Sequence, residues 1–167
     1  MPNSINHINS FAVYYGHNRE EKLADYDLLI LEPKGHSRDG IYNLKQSGKI
    51  LIAYISMLEI SGQNDLFKYL SPGDFVNVKG KFAKNSVYNN FLMNISSSKI
   101  QKHLIAKASD LLQNGYDGIF IDTVDSLEYI NTGSKTREKL MEALSLILKE
   151  IRKAFPKAVI IQNNGFV

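Results

Sequence analysis

The 167-residue sequence has no cysteine and no tryptophan. The missing cysteine excludes disulfides, thiolate metal sites and a cysteine nucleophile. The four histidines (His7, His17, His36, His103) show no zinc-ligand spacing, so neither a metal nor a cofactor is expected. No apolar run is long enough to span a bilayer, and no membrane partner is expected. The N-terminal stretch "MPNSINHINSFAVYYG" lacks the basic start and apolar centre of a signal peptide. As written, the sequence carries no ordinary export signal, and its localisation stays open. Neither sign of charge dominates: 20 basic and 17 acidic residues give a formal charge of +3, without a Lys/Arg cluster. That argues against a nucleic-acid partner. Phosphate-binding loops are missing as well. "YYGHNREEK" is not G-x-G-x-x-G, and no G-x-x-x-x-G-K-[ST] occurs, which removes the main support for a nucleotide site.

What is present is enough apolar residue (44%) to build one core, and residues 1–167 read as a single domain. Five apolar segments read as strands: 11–16, 27–33, 50–59, "DGIFID" from Asp117, and 158–164. Helical patterns alternate with them. "NREEKLADY" carries Asn18 and Glu21 at capping-box spacing. "SRDGIYNLKQSGK" places Gly48 where a helix stops. From Ser98, residues Ile100, Leu104, Ile105, Ala108, Leu111 and Leu112 recur at helical spacing up to Gly115. A last helix runs through Leu140, Leu144, Ile147, Leu148 and Ile151 to Phe155, and Pro156 stops it. Residues 60–97, rich in Asn, Ser, Gly and Lys, show no long element.

Strands alternating with helices, without hairpin signals, predict a parallel α/β sheet. The nearly continuous apolar strands agree, since such strands are buried on both faces. The residues alone leave two architectures open and favour the first. A five-stranded doubly wound sheet fits the length; a (β/α)8 barrel needs roughly 250 residues, so this chain would hold its first five strands. Both place ligands at the C-terminal strand ends. There the sequence sets Tyr14 and Tyr15, Glu32, Tyr54 with Ser56 and Glu59, Asp122 with Asp125, and Gln162 to Asn164. Each has an ordinary structural reading: an acid after a strand caps a helix, a tyrosine fills a core, an asparagine makes a turn. Together they form an acidic, aromatic, amide-rich rim without phosphate-binding features. Such a rim suits a sugar, with carboxylates for chemistry, rings for stacking and amides for hydroxyls. Surplus acids also suit a substrate bearing ammonium groups.

"ADYDLLILEP", "KILIAYISMLEI", "LLQNGYDGIFIDTVDS" and "AVIIQNNG", in that order, resemble glycoside hydrolase family 114, the endo-α-1,4-polygalactosaminidase-like group. The resemblance spans essentially the whole chain, and the Asp-Gly…Asp-Thr-x-Asp block is its most specific part. It implies a (β/α)8 TIM-barrel type fold with only the first five strands in this chain. It also implies a retaining hydrolase of α-1,4-linked, galactosamine-containing polysaccharide. Asp122 is then the catalytic nucleophile candidate, and Tyr15, Tyr54, Glu59, Asp125 and Asn163 are substrate-binding candidates. Two features depart from the family pattern: Leu58 stands where a Gly precedes the Glu, and no Trp is present. The family's general acid is a Glu on a later strand, beyond Val167. The resemblance therefore implies a domain incomplete as given, with inactive-fragment or sugar-binding pseudoenzyme readings alongside. Open edges at the first and fifth strands imply self-association. Aromatic residues of the 60–97 segment (Phe67, Tyr69, Phe75, Phe82, Tyr88, Phe91) are expected along a sugar groove.

Overall fold

The structure, a computed structural model, describes residues 8–164. In chain order, β1 (Phe11–Tyr14) is followed by α1 (Glu20–Leu23), β2 (Leu28–Leu31), α2 (Arg38–Gln46) and β3 (Ile50–Ser56). A segment of short pieces comes next: β4 (Glu59–Ile60), β5 (Asn77–Val78), β6 (Lys81–Phe82), β7 (Lys84–Asn85) and β8 (Asn90–Leu92), with single-turn 3-10 helices among them. Then come α3 (Ser98–Gln113), β9 (Gly118–Asp122), α4 (Ser126–Tyr129), α5 (Ser134–Ala154) and β10 (Val159–Gln162). Among the described residues no helix is long and apolar enough to cross a membrane.

The main sheet is parallel and its order is β1-β2-β3-β9-β10. These strands keep their chain order, each new one adding beside the last. A doubly wound sheet would instead bring later strands to the far side of β1, in the order 2-1-3-4-5. That architecture is excluded, and the chain forms five consecutive parallel strands of the TIM-barrel type, the first four each followed by a helix before the next strand of the sheet.

Alternation along each strand builds two cores. Leu29, Leu31, Leu51, Ala53, Ile55, Ile119 and Ile121 point outward under the helices, and all are buried. The stripe Ile100, Leu104, Ala108 and Leu111 of α3 meets them, together with Leu140, Leu144, Ile147 and Ile151 of α5. Leu28, Ile30, Ile50, Ile52 and Phe120 point the other way and form a second cluster on the inner face. The outer strand β1 is less covered: Phe11 is 64% exposed.

Gly48 and Gly115 lie just past α2 and α3 with φ of 78° and 106°, the left-handed conformation that ends a helix most cheaply with glycine. The N-cap position of α3 is Ser97, immediately before the Ser98 from which the helical spacing runs, and its side chain makes no capping bond. The capping box expected at Asn18 does not form. Asn18 and Arg19 both adopt left-handed φ (58° and 74°), and Arg19 occupies the N-cap without a side-chain bond. The strands are also shorter than expected. β3 ends at Ser56, and Glu59 belongs to an antiparallel pairing of β4 with β8.

The two acids at the ends of "DGIFID" do different work. Asp117, before β9, accepts the Leu51 N–H at 2.8 Å and pairs with Lys45 of α2. It ties the lower end of the sheet together, leaving Asp122 at the upper end. Gly118 stands opposite Val159 of β10 on the inner face. A Cβ there would lie 2.2 Å from the Val159 carbonyl oxygen, and backbone cannot step aside as a flexible side chain can. Gly118→Ala is expected to lower stability by about 1–3 kcal/mol through overpacking. Gly73→Ala, where a Cβ would meet nothing within 4 Å, is expected to leave stability nearly unchanged. Urea midpoints at unchanged slope check both.

Candidate active site

Register brings the site together. Ser56 of β3 lies beside Asp122 of β9, and Gln162 of β10 lies beside Ile121, so Asn163 follows next to Asp122. The Asn163 N–H donates to the Ile121 carbonyl at 2.9 Å and locks this step. Asp122 continues the inward alternation of Gly118 and Phe120. Its carboxylate is held on both sides: the Tyr54 hydroxyl donates to Oδ2 at 2.7 Å, and Asn163 Nδ2 donates to Oδ1 at 2.8 Å. Each oxygen keeps a further lone pair. Tyr54 rests against Phe120 with ring centroids 6.4 Å apart, and Tyr15 meets it edge-on at 5.0 Å. Burial, and then the hydrogen bond to Asp122 and its charge, push the Tyr54 hydroxyl far up from its ordinary value. It stays a proton donor to Asp122 throughout the working pH range.

The backbone turns sharply after Asp122. Thr123 has φ of 67°, a left-handed conformation that a β-branched residue adopts only under constraint. Its hydroxyl oxygen accepts the Leu58 N–H at 2.9 Å, and the Met57 N–H reaches the Asp122 carbonyl at 3.0 Å. Leu58, standing where the family pattern has Gly, is fully buried and serves this turn through its backbone. Strain of this kind concentrates at sites that need a fixed side chain.

Glu59 is only 4% exposed. Its Oε1 accepts from Asn85 at 2.8 Å and from Ser126 at 2.5 Å, and its Oε2 accepts from Asn90 at 3.1 Å. Both oxygens are thus engaged by three side chains. Asn85 and Asn90 flank the β7–β8 turn, and Ser126 opens α4, so one carboxylate joins the flap (residues 59–92) to the loop after β9. Asp125 is the N-cap of α4, its carbonyl oxygen accepting the Glu128 N–H at 2.8 Å, but its side chain makes no capping bond. Burial raises its pKa, and the negative charges of Asp122, Glu59 and Glu128 add to the effect.

Tyr15, Tyr54, Glu59, Asp122, Asp125 and Asn163 all line one open groove of about 1300 Å3. Tyr14, expected at the same rim, points to the helix side, where it packs against His36 at 5.9 Å. Of the six aromatic residues expected along the groove from the 60–97 segment, Tyr88 lines it. Phe67, Phe75, Phe82 and Phe91 pack on one another instead, with contacting centroids 4.9–6.4 Å apart. They are the flap's own small core. Ser126, Asn85, Asn90 and Tyr129 also line the groove and were not anticipated. Ser126 and Tyr129 follow directly on the "DTVD" block, whereas the flap residues sit in a polar stretch without periodicity. Among the described residues no cluster of three or more His, Asp or Glu could hold a metal ion.

Two outcomes test this geometry. Glu59→Ala leaves three donors without their acceptor, and is expected to cost about 1–3 kcal/mol and to speed amide exchange across residues 84–92. Glu128→Ala, at an exposed position, is expected to do neither. Asp125 gives the second. A carboxyl whose folded pKa is raised binds protons more tightly folded than unfolded, so its ionisation destabilises the fold as pH rises above the ordinary Asp range. Asp125→Asn is therefore expected to raise the urea midpoint at about pH 7, with the gain vanishing near about pH 3. An equal gain at both pH values would contradict the assignment.

No curated protein sequence matches the chain. Its fold is that of the glycoside hydrolase domain of PelA from Pseudomonas aeruginosa, at 25% identity and a TM-score of 0.82, covering 95% of this chain and 61% of that one. Ega3 of Aspergillus fumigatus, solved in complex with galactosamine, matches at 15% identity and a TM-score of 0.69, over 90% of this chain and 57% of that one. The GH36 α-galactosidase AgaA of Geobacillus stearothermophilus shares the fold at 13% identity and a TM-score of 0.69, over 95% of this chain and 28% of that one. The chain thus spans about three fifths of the length of the PelA domain. The sequence pattern of one family matches residues 4–167, nearly end to end, and on that match the chain belongs to glycoside-hydrolase family GH114.

Proposed function

We propose that this chain supplies the nucleophile side of a retaining glycosidase acting on α-1,4-linked, galactosamine-containing polysaccharide. The observation that carries the reading is the Asp122 carboxylate. It stands at the C-terminal end of a buried strand, held from both sides by Tyr54 and Asn163, and it lines an open groove. That is the placement a glycosidase nucleophile needs: rigid, hydrogen-bonded into orientation, and open to a sugar. The amino-sugar assignment draws on family membership and on the galactosamine in the Ega3 complex. The acidic groove, with Glu32, Glu59, Asp122 and Asp125 among its lining residues, favours a substrate bearing ammonium groups.

In the proposed reaction an Asp122 oxygen attacks the anomeric carbon and displaces the leaving sugar's oxygen, which takes a proton from a general acid. Water then attacks the glycosyl ester, regenerates the carboxylate and returns a proton to the same acid, so configuration is retained. On the family pattern the acid is a Glu of a later strand. A second reading gives that role to Asp125, whose carboxyl lines the groove and whose affinity for a proton is raised by burial and neighbouring negative charge.

Two substrates separate these readings on the intact protein: a galactosamine polymer, and an aryl α-galactosaminide whose leaving group needs no protonation. Asp122→Asn is expected to lower turnover of both by about 10³-fold or more. If Asp125 is the acid, Asp125→Asn slows the polymer by about 10²–10⁴-fold and spares the aryl glycoside. If it serves binding, both substrates lose affinity. Turnover that survives Asp122→Asn rejects the nucleophile assignment, and binding without turnover by the unaltered protein leaves a sugar-binding domain.

A further inference from the structure

Two tyrosines at the groove are largely exposed. Tyr88 is 72% exposed and Tyr129 is 74% exposed, yet both line the same groove as Asp122. Neither packs against another aromatic ring among the described residues. Tyr88 stands in the turn between β7 and β8, and Tyr129 is the last residue of α4. The Glu59 carboxylate joins these two elements, receiving Asn85 and Asn90 from the strands beside Tyr88 and Ser126 from the first turn of α4. Two exposed rings are therefore carried on elements fixed to each other through one buried group. The groove volume of about 1300 Å3 also exceeds the roughly 300–1,000 Å3 that suffices for a drug-sized ligand.

Resting on the glycosidase reading above, we propose that Tyr88 and Tyr129 are stacking platforms for sugar units outside the one at Asp122, so that the groove recognises a run of several linked residues. A pyranose presents an apolar face of C–H groups and an equatorial rim of polar groups. A tyrosine ring covers the first and its hydroxyl meets the second. An exposed ring costs little to remove from the free protein, so its loss is read in binding rather than in folding.

The test measures affinity of the intact protein for galactosamine itself and for a ladder of α-1,4-linked galactosamine oligomers, by calorimetry and by chemical shifts of the tyrosine rings. Affinity is expected to climb as oligomers lengthen beyond a single residue. In Tyr88→Ala and in Tyr129→Ala the climb is expected to shrink by about three- to tenfold per platform, the effect of leaving part of a ring uncovered. Affinity for galactosamine and the urea midpoint should stay as they were. Tyr88→Phe and Tyr129→Phe, which keep the ring, should retain most of the climb. Galactosamine binding with no length dependence, or alanine variants that keep the full climb, overturns the platform assignment and leaves the glycosidase reading standing. Binding to none of these sugars overturns both.

Discussion

The in-register parallel pairing of β3, β9 and β10 is the constraint on which the rest of the site depends. It sets Tyr54 beside Phe120, Ser56 beside Asp122, and Asn163 one step past the Gln162–Ile121 pair. Side chains alternate along a strand, so a slip of one residue would turn Asp122 into the helix layer and bring an isoleucine to the groove. The slip is opposed by both faces at once: Ile119 and Ile121 are fully buried under the helices, and Phe120 is buried on the inner face. Packing that looks purely structural thus fixes the direction of one carboxylate.

Much of this was legible in the sequence because it rests on short-range rules. Apolar strands bounded by turn residues, helices of clear period, and glycines at helix ends follow from local backbone and burial preferences. Asp122 stood out because it falls in the rhythm of a buried strand where an apolar residue would be ordinary. The choice between a doubly wound sheet and a barrel was not legible from the residues. Both use the same strands, and strand order is decided by how each helix crosses the sheet. There the family resemblance pointed to the barrel, as the sequential order bears out.

The flap was illegible for a different reason. Its strands are two or three residues long, too short to show a period, and its stability comes from contacts distant in sequence. Four phenylalanines cluster across it, and Asp74 accepts from the Ser97 hydroxyl at 2.6 Å where the flap meets α3. Composition correctly marks these rings as numerous but cannot say that they face one another rather than a ligand. Glu59 carries the same lesson. An acid close after a strand reads as a rim group, yet its oxygens are occupied by Asn85, Asn90 and Ser126, partners 26 to 67 positions away.

In the proposed reaction the attacking group is one carboxylate with two hydrogen-bonded neighbours, and further acids line the groove around it. The most direct measurement is to trap the covalent intermediate. The intact protein would be treated with a fluorinated galactosaminyl fluoride, which forms a slowly hydrolysed glycosyl ester, and the labelled peptide mapped by mass spectrometry. A single sugar attached at Asp122 is the predicted result. A label on Asp125 or Glu59, with Asp122 unmodified, would contradict it.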